Sequence, residues 1–118
     1  MSKRSTRWRS PIPEADLLRA ILRLLAHEPS RDIIRRLTQQ PADVPTLVKH
    51  LGRPSSTIRA NLNRLAECHI VEAAPVKPRR LYRLAETVTV HDRPKTIRVT
   101  VRTPGGSAIA IKMLHRVR

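Results

Sequence analysis

Arg59 and Asn63 stand four residues apart in SSTIRANLNRL, a spacing that sets both on one face of a helix. An arginine fork donates two parallel hydrogen bonds to guanine, and an asparagine carboxamide makes a matching pair with adenine. Ser55, Ser56 and Thr57 add short hydroxyls at the start of the same stretch, with no acid among them to repel phosphate. This is chemistry of recognition, not of bond making. No Gly-rich phosphate loop, no carboxylate pair at acid/base spacing and no nucleophile with an identifiable base occurs, so neither catalysis nor a cofactor is expected.

Positioning that face requires a scaffold, and DVPTLVKHLGRPSSTIRANLNRL, residues 43–65, supplies one. Val44, Leu47, Val48 and Leu51 recur at helical spacing, as do Ile58, Leu62 and Leu65, so two short helices each carry one apolar stripe. Asp43 is placed to cap the first, Pro45 falls where a missing N–H costs nothing, and Gly52 supplies the turn. The second helix is expected to run from Pro54 to about Cys68. Lys49 and Arg53 flank this pair as cations for phosphate.

Upstream, PEADLLRAILRLLAH opens with proline and two acids, Glu14 and Asp16, at the positive end of a helix dipole. Leu17, Leu18, Ile21, Leu22 and Leu25, with Leu24, cover more than half of its circumference. That excess predicts packing on two sides, against its own domain and against a second subunit. Glu28-Pro29-Ser30 is read as a break, and residues 30–40 as a second helix ended by Pro41. Residues 1–12 form a basic, acid-free arm bearing Trp8. It is either a solvated tail or a segment that tracks a minor groove.

Downstream the period changes to two. Residues 70–73 and 81–84 read as strands of a hairpin whose tip carries Lys77, Arg79 and Arg80, a basic wing suited to a phosphate backbone. From Val88 on, alternating apolar residues broken at Pro104-Gly105-Gly106 predict a β-hairpin or three-stranded meander. A closing helix over residues 107–116 is the alternative. The expected fold is therefore mainly α with a β wing (α+β): four helices, a wing and a C-terminal β segment. Its divisions are an arm (1–12), a winged helix-turn-helix (13–87) and a β extension packed on it (88–118).

Composition narrows the partner. Twenty-four Lys and Arg against nine Asp and Glu give a formal charge of +15 over 118 residues, which calls for a polyanion. With one Trp, one Tyr and no Phe, the chain lacks the stacking rings that grip single strands, and duplex DNA is favoured. A single cysteine excludes a disulfide framework and any Cys-rich zinc motif. No apolar run approaches a membrane span and no signal-type core is visible, so a cytoplasmic, nucleoid-associated chain is expected.

Two stretches look like a known family. LAHEPSRDIIRRL (25–37) resembles the segment that introduces the helix-turn-helix of ArsR-type winged helix regulators. DVPTLVKHLGRPSSTIRANLNRLAECHIVE followed by LYRL resembles their helix-turn-helix and the far strand of their wing. The resemblance covers residues 25–84. It implies a dimeric, sequence-specific DNA-binding transcription regulator, usually a repressor, with Ser55, Ser56, Arg59 and Ala60 facing the major groove. Asn61 falls where a His is frequent, and His69 where a Gly commonly ends the helix. The cysteine pair that metal-sensing members carry on the first helix of the motif is absent, and no metal site is expected. His27, His91, Asp92 and His115 lack a ligand spacing, and Cys68 reads as an apolar filler. Two further readings stay open: a winged module that binds an acidic protein partner, and a binder of structured RNA.

Overall fold

The computed structural model describes residues 13–76 and 79–114, so the basic arm with Trp8, the tip residue Lys77 and His115 lie outside the described residues. Four helices come first: α1 (Glu14–Ala26), α2 (Glu28–Leu37), α3 (Val44–Leu51) and α4 (Ser55–Glu67). Five strands follow: β1 (Val71–Val76), β2 (Arg79–Leu84), β3 (Val88–Asp92), β4 (Thr96–Arg102) and β5 (Ala108–Leu114). β1 and β2 make the two-stranded wing, and β3-β4-β5 make a separate antiparallel meander. The C-terminal segment is thus strand, not helix. This is the α+β winged helix-turn-helix expected from the sequence.

Local chemistry sets the boundaries. Glu28 and Pro29 do not break the chain: they form the first turn of α2, where proline's missing N–H has no intrahelical partner to lose. The interruption between α1 and α2 is His27 alone, in an extended conformation. Asp43 caps α3 through Thr46 N–H at 3.0 Å, and Gly52 ends it in the left-handed conformation at φ 64°. α4 ends in a Schellman arrangement, with Ile70 N–H donating to Leu65 C=O at 2.9 Å and His69 N–H to Ala66 C=O at 3.0 Å. The left-handed position of that motif is occupied by His69, at φ 63°.

One buried cluster unites these elements. Ile21, Leu25, Ile33, Ile34, Leu47, Ile58, Leu62 and Leu65 join Ile70 and Val71 at the wing base and Ile97, Val99, Val101 and Met113 from the meander. Leu17, Ile21 and Leu25, expected at a subunit interface, are instead sealed inside the chain's own core, because the meander occupies one side of α1. Of that expected set only Leu18, half-buried, and Leu22, 52% exposed, remain available. The wing gains a short third rung from Ala42, whose N–H and C=O both pair with Tyr82.

The meander is also pinned at its turn. Thr103 Oγ donates to a Glu14 carboxylate oxygen at the start of α1, and a Cβ on Gly105 would collide with that carboxylate. These bonds, with others from Ser107 and Gly105, hold the Glu14 carboxyl below its ordinary pKa. No described helix is long and apolar enough to cross a membrane.

Candidate nucleic-acid interface

α4 buries Ile58, Asn61, Leu62 and Leu65 against the other helices, which fixes the opposite face to solvent. Ser55, Ser56, Arg59 and Asn63 are exposed there, and Ala60 is half-covered. Thr57 turns toward the edge of the core, and its carbonyl accepts from Asn61 Nδ2 at 2.8 Å. The helical period places Ser56, Asn63 and Glu67 in one outward row, with Arg59 beside it. Glu67 therefore brings one acid to the C-terminal end of a face expected from the sequence to carry none.

Asn61 does not share that face. It is 2% exposed and accepts from Ser30 Oγ at 2.9 Å, so it stitches α4 to α2 inside the core. Only its helical phase, between Ile58 and Leu62, could have revealed this in the sequence.

The cations divide into two kinds. Lys49 and Arg80 are exposed. Arg53 and Arg79 are held by carboxylates of the fold: Arg53 lies 2.8 Å from Asp32, and Arg79 lies 3.1 Å from Asp43. Asp32 also receives Arg35 at 3.0 Å, and its side chain is 7% exposed. It is a buried anchor in the middle of α2. Asp43 has two roles, one oxygen capping α3 and the other holding the first residue of β2. Bonds from Thr46, with the charge of Arg79, hold its carboxyl below the ordinary value. The Nε atoms of Arg31, Arg35, Arg36 and Arg53 are buried without a hydrogen-bond partner among the described residues.

Cys68 is buried beside Glu67, and burial together with that negative charge raises its thiol pKa. The thiolate a redox switch needs is disfavoured. Among the described residues no group of three or more His, Cys, Asp and Glu could hold a metal ion.

No protein-family model matches the sequence, and no curated protein does. Solved structures do. An ArsR-like transcriptional regulator from Rhodococcus sp. RHA1 superposes with a TM-score of 0.56 at 25% identity, over 58% of this chain and 62% of that one. The homodimeric winged helix-turn-helix DNA-binding domain (fragment 1–100) of Mb0332 from Mycobacterium bovis, a possible ArsR-family transcriptional regulator, gives 0.57 at 26% identity. That match covers 72% of this chain and 73% of the other. HlyU from Vibrio cholerae N16961 gives 0.57 at 19% identity, over 65% and 84% of the two chains, a likeness of fold. The chain thus spans less than two thirds of the Rhodococcus protein. The resemblance first visible in residues 25–84 holds in three dimensions: this chain has the winged helix-turn-helix fold of ArsR-like regulators.

Proposed function

We propose that the chain is a sequence-specific duplex-DNA-binding transcription regulator that acts as a homodimer, with α4 in the major groove and the β1–β2 wing along the backbone. The observation that carries this reading is the solvent face of α4. There a core-packed helix offers Ser55, Ser56, Arg59 and Asn63 outward on a scaffold that also exposes Lys49 and Arg80. Arg59 and Asn63 read base edges, while Ser55, Ser56, Thr57 and Ala60 shape the contact. Lys49, Arg53, Arg79, Arg80 and, outside the described residues, Lys77 hold phosphates.

Repression follows from this placement if the operator overlaps a promoter. The structural neighbours described as regulators, one of them a homodimer, support the assignment of class.

Selection of bound sequences from a random duplex pool tests the reading, with a palindromic consensus expected. On the selected site, Arg59→Ala should lose roughly 1–3 kcal/mol of discrimination at one base pair. Arg80→Ala should weaken cognate and random duplexes equally. Arg80 is the better backbone probe than Arg79, since removing Arg79 also unties the wing from Asp43. Equal losses on both duplexes for both variants would refute the division of roles. No complex with any duplex at low salt would return the chain to the protein-interaction reading, and preference for A-form duplex to the RNA reading.

A further inference from the structure

β5 closes the meander on one side, and its outer edge makes no backbone hydrogen bond to the described residues. In an antiparallel strand alternate residues turn their N–H and C=O groups to the open side, so about half of the seven residues of β5 form a template for another strand. Folds usually blunt such an edge with charge, proline or a bulge. β5 carries none of these except Lys112. The opposite edge, β3, is two residues shorter and ends in exposed His91 and Asp92.

Two further observations bear on the same edge. Ile109 and Ile111 are half-buried, whereas the β4 residues opposite them, Val101 and Val99, are sealed, so the core is unfinished along β5. The large hydrophobics exposed among the described residues are Leu22 on α1 and Leu114 on β5, and these two elements pack against each other.

We propose that β5 pairs antiparallel with β5 of a second copy of this chain, joining two meanders into a six-stranded sheet about a twofold axis. The pattern of the strand selects the register. Ile109, Ile111 and Met113 face inward and Ala108, Ala110, Lys112 and Leu114 outward, so a slip of one residue would turn one chain's apolar row to solvent. Centring the axis on Lys112 sets like charges opposite each other. Centring it on Ala110 leaves Met113 and Leu114 opposite the 106–107 turn. Centring it on Ile111 pairs all seven residues. Ile111 then meets the partner's Ile111, Ile109 meets the partner's Met113, Ala110 meets the partner's Lys112, and exposed Leu114 lies over the partner's Ala108. The patch is self-complementary, as an isologous interface requires, and it closes at two.

The full chain is tested without DNA, so the outcome is independent of nucleic-acid binding. Sedimentation equilibrium should show a dimer. Ala110→Lys sets a lysine opposite the partner's Lys112 at two symmetric places and should weaken association by roughly 2- to 30-fold. Ala110→Glu should tighten it, and adding Lys112→Glu to Ala110→Lys should restore it. A circular-dichroism melt confirms that each variant is folded. As a second route, Ile111→Cys in a Cys68→Ala background should form a covalent dimer with oxidised glutathione, because facing Cα atoms across an antiparallel pair lie within disulfide reach. Lys112→Cys, which faces the partner's Ala110, should not. A wild-type chain that stays monomeric at about 100 µM overturns the proposal. So does a dimer indifferent to all three charge variants, or one in which Ile111→Cys fails to cross-link.

Discussion

His69 is the one described non-glycine residue with positive φ, and the Schellman bonds around it show why it is held there. The chain must reverse between α4 and the wing, and the left-handed residue performs that reversal at the cost of a crowded Cβ. His69→Gly should therefore stabilise the fold by about 1 kcal/mol, read as a higher urea midpoint at unchanged m-value. The Ser30–Asn61 pair is the opposite case, two buried polar groups that satisfy each other. Asn61→Leu alone strands the Ser30 hydroxyl and should cost roughly 1–3 kcal/mol. Adding Ser30→Ala should recover much of that loss. Additive losses in the double variant would show that the two do not act as a unit.

Among the elements, α3 and the wing are coupled through Asp43. Its carboxyl, like that of Glu14 between α1 and the meander turn, is held below its ordinary value by the bonds it accepts. A depressed carboxylate pKa means that the unfolded chain binds the proton more readily. The stabilisation is complete above the ordinary values, 4.5 for Glu14 and 3.8 for Asp43, and is lost as pH falls through the lower folded values. Urea midpoints should thus fall on acidification below about pH 4.5. Asp43→Asn keeps a capping oxygen but gives up the charge that meets Arg79, and should flatten part of that acid limb. Asp43→Ala loses the cap as well and should lower the melting temperature further, by roughly a few degrees. An unchanged acid limb in Asp43→Asn would remove Asp43 from this account.

For the whole molecule, a charge of +15 makes ionic strength the natural probe. With roughly 6 to 10 phosphate contacts, affinity for duplex should drop by about three to five decades between 50 and 200 mM salt, and a flat response would exclude a DNA partner. Much of this fold was legible in the residues. The stripes of α3 and α4, Gly52 between them, the Asp43 cap and the alternation of Ile97, Val99 and Val101 each have a local cause that a linear pattern records. What the sequence hid depends on tertiary partners. Nothing local distinguishes Asp32 as a buried anchor from a solvated acid, and Asn61 betrays its place in the core only by its phase between Ile58 and Leu62. The apolar excess of α1 was visible, but that part of it packs on β5 of the chain's own meander was not. The exposure of Arg59 and Asn63 was legible because it follows from helical phase. The fixed state of Arg53 and Arg79 was missed because an ion pair between distant residues leaves no mark in spacing.

Those two ion pairs make Asp32 and Asp43 internal counterions. A phosphate that takes Arg53 or Arg79 displaces a carboxylate bolted to the scaffold, not a mobile anion that departs into bulk solvent. The exchange would liberate little ion entropy, so in the proposed complex these two arginines would add grip and orientation with less sensitivity to salt than Lys49 or Arg80. At Asp43 the displaced partner is also the cap of α3. The first residue of β2 and the start of the helix ahead of α4 are therefore joined at a single oxygen pair, and in the proposed complex a backbone phosphate on Arg79 would act on both.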